Sequence, residues 1–269
     1  MNLSLILNEY EWVEHHLETH SLGRSPFKTI SKLAKYYYSQ NYSKSDIKKM
    51  IEIFILQCEP SASPVKWGDA IDKVIKTADK NPLIHIDGVD IYQDEIDVIN
   101  NLCSDAATGN HSREKRLAFT LLCVSKYWDK VIPENNHWTN TPDKEIMEMA
   151  NIIHRSIKEQ NMVLNKLKDK GVIGFPKKID NLNIQVLFSH QPDNEGDVVM
   201  HITDFRNLGY QWEKYRGGNF YVCENCGLTA KGKKESSTGR PLKYCPECAL
   251  DVKIKQSVDS VAKARKKVG

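Results

Sequence analysis

Cys223-Glu-Asn-Cys226 and Cys245-Pro-Glu-Cys248 stand on either side of residues 227–244, and this pair of motifs constrains the fold more than any other feature. Each Cys-x-x-Cys turn can point two thiolates at one ion. Two such turns supply four soft sulfur donors, which fill a tetrahedral Zn²⁺ shell at about 2.3 Å and leave no position for substrate. The spacing therefore predicts one structural Zn²⁺ in a zinc ribbon. A redox reading of the two motifs would need a thioredoxin-like βαβ context, which Gly227, the basic loop and Tyr244 do not provide. The remaining cysteines, Cys58, Cys103 and Cys123, lie among apolar residues and read as small buried hydrophobes. Seven cysteines without a disulfide framework suit a reducing compartment.

Charge is concentrated at the same end. Residues 220–269 hold eleven Lys and Arg against five Asp and Glu, an excess larger than the +3 of the whole chain. Around the cysteines sit Lys231, Lys233, Lys234, Arg240 and Lys243, and beyond them a helical stretch carries Lys263, Arg265, Lys266 and Lys267. Cations at this density neutralise phosphates and release counterions, which gives salt-sensitive affinity without sequence readout. The alternative is a zinc-stapled module that docks on protein. Residues 82–110, by contrast, contain six Asp or Glu and no Lys or Arg. The run Asp87, Asp90, Asp94, Glu95 and Asp97 lacks the ligand pattern of a calcium loop and reads as a solvated face.

The rest of the chain reads as mainly α. In residues 1–81, Ile30, Leu33, Ala34 and Tyr37 share one helical face, as do Trp67, Ile71, Val74 and Ala78. Ser25-Pro26 and Ser63-Pro64 offer a hydroxyl cap followed by a first-turn proline. Asn81-Pro82 breaks the pattern and residues 83–91 read as extended. In residues 82–215 a long helix shows Leu117, Leu121, Val124 and Trp128 on one face, with Arg113, Lys115 and Lys126 elsewhere. Thr141-Pro142-Asp143 then predicts a second helix with the stripe Ile146, Met149, Ala150 and Ile153. A third spans about 156–170 and stops at Gly171. Two short strands follow, near 172–175 and 183–188. Three helices and a β-hairpin are the order of a winged helix-turn-helix.

On the third helix Lys158, Asn161, Asn165 and Lys168 share a face. Asn can pair with adenine edges and Lys with guanine or phosphate, while Lys177 and Lys178 would reach the backbone from a wing. A solvated helix face has the same spacing. Tyr36-Tyr37-Tyr38 reads as core, and His15, His16 and His20 have no carboxylate or Cys partner. No Gly-rich phosphate loop, nucleophile elbow or His-Glu pair argues for catalysis, and no small-molecule substrate is evident. No stretch approaches the roughly 18 apolar residues of a membrane span. The run Met1–Leu7 has no preceding basic residues or small-residue cleavage site and reads as helix, so a cytoplasmic location is expected.

Four segments carry a resemblance: LGRSPFKTISKLAKYY (22–37), RLAFTLLCVSKYW (116–128), DFRNLGYQW (204–212) and CENCGL…KYCPEC (223–248). In these the chain resembles a family of proteins from bacteriophages and integrated mobile elements with a C-terminal four-Cys zinc ribbon. The resemblance implies a phage or prophage origin, residence in a bacterial host cell, and work on nucleic acid or on a host protein. The expected architecture is a helical N-terminal module (1–81), a central winged-helix-like module (82–215) and a zinc ribbon with a basic tail (216–269). The expected function is duplex DNA binding in transcription or replication control. The alternative is a protein that binds and inhibits or redirects a host polymerase or CRISPR-type defence through protein contacts.

Overall fold

The computed structural model describes residues 5–23, 25–80, 82–102, 112–153, 156–176, 183–190, 196–233 and 242–268. The chain is mainly α and divides into two compact units, residues 2–88 and 89–269.

The first unit contains α1 (Glu9–Glu18), α2 (Pro26–Ser39), α3 (Lys44–Cys58) and α4 (Pro64–Thr77). Its core forms where the periodicity predicts. Ile30, Leu33, Ala34 and Tyr37 of α2 meet Ile47, Ile51, Phe54 and Ile55 of α3 and Ile71, Val74 and Ala78 at α4. Tyr37 is thus core, whereas Tyr38 is exposed. The caps differ from expectation. Ser25 and Ser63 occupy the N-cap positions, with a proline in the first turn, but neither side chain bonds the helix. Side-chain capping comes instead from Asn8, which accepts from the N–H groups of Tyr10 and Glu11, and from Ser43, which accepts from Asp46. A proline at the first helical position already removes one orphan donor, which lessens the need for a hydroxyl there.

The second unit is built around one buried helix. Strand β1 (Val89–Tyr92) leads into α5 (Gln93–Asn100), followed by α6 (Ser112–Val131), α7 (Asp143–Met149) and α8 (Ile157–Asp169). Then come β2 (Ile173–Gly174), β3 (Gln185–Val186), β4 (Val198–Ile202), α9 (Leu208–Tyr215), β5 (Phe220–Val222), β6 (Thr229–Lys231) and α10 (Pro246–Val268). The apolar face predicted for α6 is only part of what it buries. Every residue from Leu117 to Ser125 is buried, so the helix is enclosed on all sides. The buried hydroxyls of Thr120 and Ser125 turn back onto the helix, Thr120 Oγ1 to Arg116 O at 2.8 Å and Ser125 Oγ to Leu122 O at 2.9 Å. Phe119 packs on Trp212 of α9 with ring centroids 5.4 Å apart.

Antiparallel pairing joins β1 to β4, with Val89 opposite Ile202 and Ile91 opposite Met200. Strands β2 and β3 pair as a second antiparallel couple, Ile173 opposite Val186. The helix before them ends at Gly171 in the left-handed region (φ 70°), where its N–H bonds Lys168 O at 2.8 Å. Thr141 is not the cap of α7, which starts after Pro142 with no side-chain bond. Its hydroxyl is buried and accepts from Trp128 Nε1 at 2.8 Å.

The acidic run is not a solvated face throughout. Glu95 is 0% exposed, and its carboxylate accepts from Tyr92 N, His190 N and the Lys126 ammonium at 2.7–2.8 Å. Asp90 and Asp94 hold His201 and His190. Lys126, expected on an outer side of α6, is drawn inward by this carboxylate.

Candidate metal centre

The C-terminal cysteines lie at the ends of short regular elements. Strands β5 and β6 form a hairpin, with Phe220 opposite Lys231 and Val222 opposite Thr229. Cys223 follows β5 directly. The turn that contains Cys226 closes through Gly227, whose N–H reaches Cys223 O at 3.0 Å. Gly227 has φ 72°, a conformation that a Cβ disfavours, so glycine suits the point where the chain reverses. Cys245 immediately precedes α10 and Cys248 lies in its first turn. Hydrogen bonds that hold the halves together include Glu224 N to Lys243 O at 2.9 Å and Tyr221 Oη to Tyr244 O at 2.8 Å.

All four sulfurs lie within 4.8 Å of one another. A tetrahedral ion with metal–sulfur bonds of about 2.3 Å needs sulfur–sulfur edges of about 3.8 Å. Cys226 Sγ and Cys245 Sγ are 3.8 Å apart. The four cysteines could therefore hold a metal ion with little movement, and among the described residues no other group could do so. Donors aim at the sulfurs as they do at thiolates, Cys245 N at Cys223 Sγ (3.2 Å) and Asn225 Nδ2 at Cys248 Sγ (3.3 Å). The N-terminus of α10 adds its positive dipole end.

The thiols are unequal without metal. Burial raises Cys223, but N–H groups of Cys245, Cys226 and Asn225 outweigh it and bring the thiol down to about 6. Burial keeps Cys245 above its ordinary value. At Cys248 the Asn225 amide pulls downward, but neighbouring sulfurs win and push it up to about 12. Cys223 is therefore the readiest of these three thiols to ionise, while Cys245 and Cys248 hold their protons more tightly. Metal uptake is expected to expel those protons, so affinity rises with pH. Titration with metal in weak buffer at pH 7 checks this; uptake without acidification would contradict it.

The other residues singled out in the sequence fall as follows. Lys158, Asn161, Asn165 and Lys168 are all exposed on α8, while Gln160, Leu164 and Leu167 turn inward. Met162 is also exposed. Lys231 ends β6 and Lys243 forms a surface pair with Glu224 at 3.2 Å. The Lys233 carbonyl accepts from Asn219 Nδ2 at 2.6 Å. Lys177, Lys178, Lys234, Arg240 and Cys103 lie outside the described residues. Lys263, Arg265, Lys266 and Lys267 belong to α10, and their side chains lie outside them as well. Cys123 is buried and its thiol is pushed up by that burial, consistent with a small hydrophobe.

Sequence reasoning missed an open cleft of about 380 Å³, lined among others by Tyr92, Lys126, Asp129, His137 and His190. His137 Nδ1 lies 2.6 Å from Asp129 Oδ2, and His190 Nδ1 2.8 Å from Asp94 Oδ2. The His190 ring stacks on Tyr92 at 4.0 Å. Spacing hides most of this, because His190 meets Asp94 and Tyr92 across nearly a hundred residues, although Asp129 and His137 are only eight apart. The carboxylates are engaged within the wall itself, and the network ties β1, α6 and the loop after α6 together.

No helix among the described residues is long and apolar enough to cross a membrane. Comparison with protein-family models, curated proteins and solved structures finds no match.

Proposed function

We propose that this chain is a zinc-containing DNA-binding protein of a bacteriophage or mobile element, acting in transcription or replication control. In this reading Cys223, Cys226, Cys245 and Cys248 hold one structural Zn²⁺ in a zinc ribbon of β5, β6 and the start of α10. Zinc suits a site of four thiolates with no open position, and there it contributes folding energy rather than chemistry. Helices α6, α7 and α8 with the β2–β3 pair make a winged-helix-like module.

The observation that carries the DNA reading is the outer face of α8. Lys158, Asn161, Asn165 and Lys168 are exposed together, on the third helix before an antiparallel strand pair. In a major groove Asn161 and Asn165 would meet base edges, with Lys158 and Lys168 near phosphates. Residues 263–267 of α10 would add phosphate contacts without sequence readout.

A gel-shift series against salt tests this. Replacing Lys263, Arg265, Lys266 and Lys267 with Ala should weaken binding to all duplexes and reduce the salt slope by about 0.9 per lost contact. Asn161→Ala should instead relax preference at one base pair by about 1–3 kcal/mol. Wild-type protein that binds no duplex at low salt would sink the reading. The second reading, docking on a host nucleic-acid machine, draws on Ile153, ahead of α8, and on Ile157 and Met162 within it, which are 86%, 75% and 54% exposed. It predicts host-protein capture that survives nuclease treatment.

A further inference from the structure

The metal-binding hairpin is held from outside by two residues that precede α9. Arg206 is fixed first. Its guanidinium lies against both oxygens of Asp204 (Nη2 to Oδ2 2.7 Å, Nε to Oδ1 3.0 Å), and its own N–H bonds Asp204 Oδ1 at 2.8 Å. Gln211 Nε2 braces the same turn by donating to the carbonyls of Asp204 and Arg206. From this position Arg206 Nη2 donates to Cys226 O at 2.7 Å, on the backbone of a metal-ligating residue. The neighbouring Asn207 donates through Nδ2 to Thr229 O at 2.9 Å, on the returning strand β6.

Asn207 also faces the other way. It adopts φ 53°, a left-handed conformation that Asn tolerates better than most residues, and its Oδ1 accepts from Asn151 Nδ2 at 2.9 Å. Asn151 follows the C-terminus of α7. Its Oδ1 accepts from Tyr210 N at 3.0 Å and its carbonyl accepts from Arg116 Nη1 of α6 at 3.0 Å. A continuous set of hydrogen bonds therefore runs from the hairpin through Arg206 and Asn207 to α9, α7 and α6.

We propose that Arg206 and Asn207 are positioning residues for the metal centre and couple its occupancy to the order of the helical core. The inference rests on the zinc reading above. Outer residues that orient a ligand's backbone change metal affinity by about 10–100-fold when removed. Coupling must act in both directions, so metal bound at the hairpin must in turn steady the helix ends that share these hydrogen bonds. Since α7 leads into α8, the face carrying Asn161 and Asn165 is best ordered in the metal-loaded protein.

The test uses the full chain with Zn²⁺ and, as a spectroscopic probe, Co²⁺. Arg206→Gln removes the donor to Cys226, and Arg206→Lys restores a cation that can still donate there. Asn207→Asp keeps the acceptor for Asn151 and the tolerance of a left-handed backbone but loses the donor to Thr229. Chelator competition should show Zn²⁺ held about 10–100-fold more weakly by Arg206→Gln, with partial recovery in Arg206→Lys. The cobalt thiolate bands of Asn207→Asp should show one equivalent bound. In wild type, amide exchange at residues 150–152 and in α9 should slow by about tenfold or more on metal loading, a change near 1.4 kcal/mol. Asn207→Asp should lose most of that metal-dependent protection. Wild-type zinc affinity in Arg206→Gln together with undiminished protection in Asn207→Asp would overturn the proposal. Wild-type protein without thiolate–cobalt bands would overturn the zinc reading and this coupling with it.

Discussion

Cys223→Ser is expected to abolish stoichiometric metal binding and unfold the segment from β5 to the first turns of α10. The small core of that segment consists largely of its own candidate ligands. Cys223, Cys245 and Cys248 with Ala230 are the buried residues, flanked by Tyr221, Cys226, Leu228 and Tyr244. So little apolar area cannot fold alone, and structural zinc typically supplies about 10–16 kcal/mol in such modules. A serine hydroxyl does not replace the thiolate, and the Cys223 thiol is already brought down to about 6 by the N–H groups around it. Elemental analysis should find less than one equivalent of zinc, and the amide resonances of residues 220–231 should collapse to random-coil positions. The unit 2–88, whose core is separate, should keep its own melting transition. A full equivalent of zinc in the variant would disprove the four-thiolate assignment.

Lys126→Met should cost the second unit about 3–5 kcal/mol, because it strands a buried carboxylate. Glu95 is 0% exposed and Lys126 lies 2.8 Å from it, with only 12% of its own side chain exposed. The ammonium also donates to Asp90 O at 2.8 Å and sits 4.6 Å over the Tyr92 ring. Methionine preserves the stem and removes the charge, so lost packing contributes little. Urea denaturation followed by the amide resonances of α6 and α9 gives the free energy, and the melting temperature of this unit should fall by roughly 10 °C. Glu95→Gln placed in the same chain should recover part of the loss, since the two changes share one interaction. A loss below about 1 kcal/mol would mean that water reaches the carboxylate.

How far the sequence revealed this depended on which constraint was local. The cysteines were legible because a tetrahedral ion demands four donors at a short reach, and two Cys-x-x-Cys turns meet that demand by spacing alone. The stripes of α2 and α4 were legible because each buries one face. Helix α6 was read as one-sided, since Arg113, Lys115 and Lys126 suggested solvent, yet the chain packs α5, α7, α8, α9 and β1 around it. What hides Lys126 is Glu95, from an acidic run that looked solvated and whose neutralising partners come from distant segments. The segment that ends at Trp212 shows no helical periodicity of its own, because an eight-residue helix such as α9 leaves too few periods to count. The pairing of β1 with β4 joins segments more than a hundred residues apart, a contact that no local pattern encodes.

Helix α10 begins inside the candidate metal centre, with Cys245 just before it and Cys248 in its first turn. Starting a helix is the costly step in its formation, and each added residue afterwards is nearly neutral. An ion gripping both cysteines would set the dihedral angles of the opening turn in advance. Helicity along the 23-residue helix would then propagate from a ready-made seed. At about 1.5 Å per residue, the seeded helix spans roughly 35 Å. A single ion at its base would thus determine whether the basic residues 263–267 stand on a rigid rod or on a flexible string.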